Sequence, residues 1–285
     1  MENYQALKFK KSESFYIRDG WFEKALNTIV DDETVNVFAK NNGTSMLGIG
    51  SNMVKGLRYW LQASSIINST ATKTTLGELG NKILRWDRYF ESDFSWYMVH
   101  YYLCKNKIEC PVFYGVFNSD LKSFKKQDLI TYLYDTFTAE GYEVKQEYID
   151  EDLGVFFKSY LNEEAIINPE DNYVCPLSNL KLLKKRGDKI ERLRPLFSSL
   201  SYLIVYFALE QLYKNKPFNI EDSFKEPFSP YLIFNLDKNM YLQYLEEMRK
   251  NGLIQINKTA GLNAVYFKKK MDLEDIFASY FGGEE

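Results

Sequence analysis

A mostly helical α+β chain, with a helix–turn–helix and hairpin order near each end and a helical region between, is what this sequence predicts. Three observations carry the prediction. Apolar residues recur at spacings of three and four over Trp21–Val30 and again over Tyr241–Met248. Each run is followed by glycine-containing turns and then by short stretches that read as hairpins, Asn68–Thr75 and Leu253–Phe267. Between them, Phe124–Ala139 and Leu153–Leu161 keep a helical period. The expected units are an N-terminal winged-helix domain with an aromatic-rich helical extension (1–120), a helical middle region (121–195) and a C-terminal winged-helix-like domain (196–285). Lys216-Pro217 and Glu226-Pro227 mark loop-like breaks near the last of these.

Taken in order, the first helix buries Trp21, Phe22, Ala25, Leu26, Ile29 and Val30 on one stripe. A short run from Thr34 through Val35, Val37, Phe38 and Ala39 closes at Asn41-Asn42-Gly43. After the Leu47-Gly48-Ile49-Gly50 turn, Ser51 is the expected N-cap of a second helix. That helix sets Met53, Val54, Leu57, Trp60 and Leu61 inward and leaves Asn52, Lys55 and Arg58 outside. Ile66-Ile67 and the Ser/Thr-rich stretch behind it form the first wing. At the other end, Ile233–Leu236 reads as a strand, and a helix through Tyr241, Leu245 and Met248 stops at the cap pair Asn251-Gly252. Leu253–Asn257 and Ala264–Phe267 are the strands of the second wing, turning at Thr259–Asn263 and ending in Lys268-Lys269-Lys270.

Several classes are excluded early. No stretch reaches the roughly 18 apolar residues of a membrane span, and the N-terminus lacks the apolar core of a signal peptide, so a cytoplasmic protein is expected. Cys104, Cys110 and Cys175 lack the spacing of a zinc site or a disulfide framework, and His100 is the single histidine. Gly77, Gly80 and Asp87 match no phosphate-binding loop. No motif calls for a cofactor. The aromatic crowd from Trp86 to Tyr102 reads as core rather than as a base-stacking platform.

Charge is informative in its distribution rather than in its sum. The net charge is -3, yet Thr34–Gly77 holds Lys40, Lys55, Arg58 and Lys73 and no acid. Ser178–Leu200 carries seven basic residues against Asp188 and Glu191, and Met248–Met271 carries six against none. Eleven acids against two bases over Asp135–Asp171 redress the balance. The two acid-free segments coincide with the two helix–turn–helix patterns. A helix N-terminus offers N–H groups to a phosphate, and Lys55 and Arg58 share a helical face that fits a major groove. The expected contacts to double-stranded DNA are therefore Arg18, Ser51, Asn52, Lys55, Arg58 and Lys73, with Lys258, Lys268 and Lys269 in the second wing. Winged helices also dock proteins, which leaves a non-catalytic adaptor or regulator as the alternative.

Asp87, Glu91 and His100 are the candidates for cleaving a phosphodiester. On one helix the two carboxylates would share a face able to hold Mg²⁺. Against this stands a structural reading, with Asp87 as a cap, Glu91 in a first turn and His100 hydrogen-bonded in an aromatic core.

Several strings resemble one bacterial family of domains of unknown function. Ser14–Lys24 (SFYIRDGWFEK) is similar to that family's opening, and Leu47–Val54 (LGIGSNMV) with Arg58-Tyr59-Trp60 to its next conserved stretch. Thr75-Leu76-Gly77, Asp87–Glu91, the string WYMVHYYL around His100, Phe117-Asn118, Cys175-Pro176-Leu177 and Thr259–Leu262 continue in order. Ser51 stands where lysine is common and Phe22 where leucine is. The family is encoded beside DNA phosphorothioation (Ssp/Dnd-type) defence genes. Resemblance to its SspB-like members implies a DNA-binding protein working with a cysteine desulfurase and an ATP-pyrophosphatase-like sulfurtransferase. It also implies nicking of the DNA backbone before sulfur insertion, with Mg²⁺ as the cation such a nickase would use.

Overall fold

The computed structural model describes residues 6–31, 35–39, 42–161, 174–259 and 262–282. Lys40, the side chain of Lys258 and the turn residues Ala260 and Gly261 lie outside the described residues.

Helix α1 (Trp21–Asp31) buries Trp21, Phe22, Ala25, Leu26 and Ile29, the stripe its spacing dictates. It packs on α2 (Asn42–Leu47) and α3 (Ser51–Ala63). The short helix α2 occupies a stretch that the sequence pattern assigns to loop and turn. Six residues are too few to show a period, and packing between α1 and α3 supplies the stability that propensity does not. A two-stranded antiparallel hairpin follows, β1 (Ile67–Ser69) with β2 (Thr74–Leu76), in register Asn68 to Thr75.

Helices α4 (Glu78–Trp86), α5 (Asp93–Lys105) and α6 (Pro111–Phe117) come next. Ten of the thirteen residues of α5 are buried, from Phe94 to Cys104, which makes it a central helix with no solvent face. The aromatic crowd is accordingly core, with Tyr89, 59% exposed, as the exception. Phe124 belongs to β3 (Ser123–Phe124), and helices α7 (Lys126–Ala139) and α8 (Gln146–Tyr160) follow.

The middle region is not purely helical. After a 3-10 helix at Pro176–Leu180, strands β4 (Leu183–Arg186) and β5 (Lys189–Arg192) form a hairpin that joins β3 in the order β3-β5-β4. This explains part of the basic run. Lys184, Lys185 and Arg186 lie exposed along strand β4, where charge protects a sheet edge from further pairing. Arg192, by contrast, is buried.

The C-terminal third runs α9 (Tyr202–Tyr213), β6 (Phe218–Asn219), α10 (Ile220–Ser223), α11 (Pro230–Ile233), α12 (Lys238–Lys250), β7 (Ile254–Thr259), β8 (Leu262–Phe267) and α13 (Leu273–Phe281). Its sheet has the order β6-β8-β7, all antiparallel. The expected strand at Ile233–Leu236 is instead the end of α11 and a turn. Ser229 caps α11, Pro230 starts it, and Asn235 at φ 54° ends the run. Helix α12 closes as its sequence predicts, with Asn251 as C-cap and Gly252 in the left-handed region at φ 71°.

Buried hydrophobic side chains from Ile17 to Phe277 form one continuous core. Helix α13 ties the C-terminal third to α4, since Glu274 pairs with Lys82 and Arg85 and Phe281 stacks on Trp86. Among the described residues no helix is long and apolar enough to cross a membrane.

Candidate nucleic-acid interface

The N-cap of helix α3 is Gly50, and Ser51, the expected cap, is its first residue. Gly50 is extended and supplies no side-chain cap, and no acid occupies the first turn. The first N–H groups of the helix are therefore not claimed by a capping side chain, and Ser51 and Asn52 stand exposed beside them. One turn on, Lys55 is exposed, while Leu57, Trp60 and Leu61 are buried as expected.

The outer face of α3 forms one wall of an open groove of about 670 Å³. Lys55, Arg58, Tyr59 and Gln62 line it from the helix, Asn68, Ser69 and Thr70 from the hairpin, and Lys8 and Lys11 from the N-terminal segment. Four bases thus converge on a space that holds one acid, Glu109, itself paired with Lys8 at 2.5 Å. Lys55 receives weak competition, with Asn52 Oδ1 at 3.1 Å and Glu13 at 3.8 Å. Lys11 has no ion pair among the described residues. Such half-exposed pairs contribute little and yield readily to a phosphate.

Two side chains of α3 fix the angle of the hairpin. Arg58 Nη2 donates to Thr70 O and Gln62 Nε2 to Ser69 O, both at 2.9 Å. From the other side, Thr74 donates to Asn36 Oδ1 at 2.8 Å. Arg58 is therefore both a charge in the groove and a brace, a role invisible from spacing alone. Lys73 is exposed at the hairpin tip, and its backbone closes the turn with Thr70. Arg18 lies outside the lining of the groove, its guanidinium 5.6 Å from the ring centres of Phe15 and Trp21. Lys8, Lys11, Gln62, Asn68 and Thr70 escaped the sequence reading. The three lysines in Lys8-Phe9-Lys10-Lys11 were the available signal.

The C-terminal counterpart is electrostatically different. Lys268 and Lys269 are exposed after β8, where Lys268 N–H extends the ladder to Leu253 O at 2.8 Å. Helix α12, however, neutralises its own bases: Arg249 pairs with Glu246 at 2.6 Å and Lys250 with Glu247 at 3.0 Å. Asp237 caps its N-terminus and accepts from Met240 N–H, so a carboxylate already holds the place a phosphate would take.

The cleavage candidates are not assembled into a site. Asp87 follows α4 as its C-cap and Glu91 lies in the loop before α5, so the two carboxylates do not share a helix. The Asp87 carboxylate accepts from Glu91 N–H at 2.9 Å and Ser92 N–H at 3.2 Å, which stitches that loop. Its pKa is raised by burial. A carboxylate committed to backbone donors is a poor cation ligand, so these residues do not fit a Mg²⁺ site. Among the described residues no three His, Cys, Asp or Glu side chains group as metal ligands. His100 is fully buried, Nδ1 at 2.6 Å from Tyr160 OH and Nε2 at 2.9 Å from Ile233 O. Ile233 O can only accept, so Nε2 carries the proton and Nδ1 accepts from the tyrosine.

Burial pushes the His100 pKa down to about 3. An unfolded histidine titrates near about 6.5, so below that pH the unfolded chain takes up a proton that the folded chain refuses. The stability associated with this neutral ring is complete above about pH 6.5 and falls by about 1.4 kcal/mol per unit towards about pH 3. Urea unfolding of His100→Gln between about pH 4 and 6 should show a dependence on pH shallower than wild type by about one proton. Equal slopes would mean that the ring is charged inside the fold.

The family model described as "Protein of unknown function (DUF4007)" matches residues 9–281. The chain belongs to the DUF4007 family. This DUF4007 chain has the fold of two solved structures described as "SspB crystal structure" and "Magnesium ion-bound SspB crystal structure". The first superposes with a TM-score of 0.82 over 98% of this chain and 89% of the other. The second gives 0.81 over 96% and 88%, and both are 21% identical in sequence. The SspB-like resemblance of the sequence and the fold of the DUF4007 chain therefore agree. No curated protein matches it.

Proposed function

We propose that this protein binds double-stranded DNA through the groove between α3, the β1–β2 hairpin and the N-terminal segment, as part of a DNA phosphorothioation system. The observation that carries the reading is the convergence of Lys8, Lys11, Lys55 and Arg58 beside a helix N-terminus without acid or side-chain cap. The order α1–α2–α3–β1–β2 supports reading this unit as a winged helix whose third helix enters the major groove while the wing lies on the backbone. The order α9–β6–α10–α11–α12–β7–β8, with β6 paired to β8, supports a second winged helix. The self-neutralised α12 favours protein docking by that second unit, with Lys268 and Lys269 as accessory phosphate contacts. A cysteine desulfurase and a sulfurtransferase of the same system are the partners the resemblance suggests.

Nicking is the activity in keeping with an SspB-like fold, and we assign it no catalytic residue. A supercoiled-plasmid assay with and without Mg²⁺ tests it: relaxation to open circles supports it, and unchanged plasmid in both removes it. Binding is tested separately by filter titration of a duplex. Contacts to several phosphates predict an affinity that falls steeply between about 50 and 200 mM salt. Affinity that is absent, or insensitive to salt, rejects the groove as a DNA site.

A further inference from the structure

Residues 6–15 cross the flank of α3 without regular secondary structure, yet they are fastened at nearly every step. Lys8 N–H donates to Ile108 O at 2.8 Å, and Phe9 meets Phe137 of α7 edge-on at 6.4 Å. Lys10 N–H donates to both carboxylate oxygens of Asp152 on α8, at 3.1 and 3.2 Å, while its ammonium pairs with Glu151 at 2.8 Å. Ser12 is buried against Gly56, where a Cβ would stand 2.7 Å from Ser12 O, so the strap lies directly on the helix backbone. Trp60 Nε1 donates to Phe15 O at 2.9 Å. Lys10, Glu13 and Ser14 are held at positive φ, 61°, 52° and 65°, conformations that non-glycine residues keep only when their surroundings impose them.

This fastening sorts the lysines of the strap. Lys10 points to α8 and away from the groove, whereas Lys11 and Lys8, the latter paired with Glu109, line it. We propose that the N-terminal strap is a DNA-binding arm, anchored on α3, α7 and α8 so that Lys8 and Lys11 contact the phosphate backbone opposite the face carrying Lys55 and Arg58. The proposal rests on the reading of the groove as a DNA site. Asp152, in contact with the backbone of the arm rather than with DNA, is a positioning residue.

The full chain is titrated with a duplex of about 20 base pairs at several salt concentrations. Lys8→Gln with Lys11→Gln, a half-buried position paired with Glu109 and an exposed one, should lower the salt slope by about two and weaken binding by about tenfold or more near 100 mM salt. Gly56→Ala keeps every charge and improves helix propensity, yet its methyl displaces Ser12 and with it the arm. It should lower the slope in the same direction. If the double variant keeps the wild-type slope while Lys55→Glu loses affinity, the groove binds DNA and the arm does not. If Gly56→Ala, shown to be folded by circular dichroism, also binds as wild type, the position of the arm is irrelevant and the proposal fails. Wild type that binds no duplex overturns the groove reading itself, and the arm with it.

Discussion

Replacing Arg192 by methionine lowers the stability of the folded chain by about 3 kcal/mol or more. The guanidinium is buried, and among the described residues its hydrogen bonds go to no carboxylate. Backbone carbonyls hold it instead: Ser119 O at 2.7 Å, Val116 O at 3.2 Å and Phe117 O at 3.3 Å at the end of α6, and Leu232 O at 2.6 Å in α11. Asn235 Oδ1 accepts from Nε, and the amide of the same asparagine bridges Leu182 O and Leu193 O. One side chain thus satisfies the C-terminus of a central helix and locks it to β5 and α11. Burial pulls its pKa down to about 10, so it remains charged at neutral pH. Methionine fills much of the volume but leaves these carbonyls without their donor in a dry place, at about 1–3 kcal/mol for each group not rescued by water. The corresponding fall in melting temperature is about 6–12 °C. Arg192→Lys, which keeps the charge but cannot span both carbonyl sets, should recover part of the loss. A methionine variant within about 1 kcal/mol of wild type in urea unfolding would show that the network is incidental.

Lys55→Glu with Arg58→Glu abolishes most duplex binding, by an order of magnitude or more near about 100 mM salt. In the proposed complex, two attractive phosphate contacts would become repulsive beside the α3 N-terminus. Lys55 is exposed, and its replacement leaves the core untouched, with an effect on stability of about 0.5 kcal/mol or less. Arg58 differs because it braces Thr70 O, so its reversal also loosens the β1–β2 hairpin. Arg58→Gln separates the roles, since glutamine can still donate to that carbonyl while the charge is gone. The salt slope should fall by about one for this single change with the fold intact. A folded double variant with wild-type affinity removes α3 from the interface and directs attention to Lys268 and Lys269.

Local periodicity made much of this fold legible in advance. Trp21–Val30 and Tyr241–Met248 are helices because their apolar residues repeat at 3.6, and Asn251-Gly252 stops the second because glycine accepts a left-handed φ. The hairpins at Ile67–Leu76 and Ile254–Phe267 follow from turn chemistry. Where elements are short, the same reasoning fails. Helix α2 is too short to show a period and is held by packing on α1 and α3, and β3 pairs with a strand more than sixty residues away, so no local window contains their cause.

The mostly helical α+β class, the outer face of α3 with Lys55 and Arg58, and the family to which the chain belongs are all legible along the chain. These are properties of contiguous residues: period, capping, local charge and recognisable strings. Which charges are usable depends on how the elements pack. Packing buried Arg192 among carbonyls, paired Arg249 and Lys250 with acids one turn earlier, and closed His100 into the core. It left Asp87 and Glu91 without a common helix, and turned the Asp87 carboxylate to the backbone N–H of Glu91. It also brought Lys8 and Lys11 to a helix more than forty residues away, through the close contact of Ser12 with Gly56. The reason is physical: helix period and turn propensity act over a few residues, whereas burial, desolvation and charge convergence depend on which surfaces the whole chain brings together.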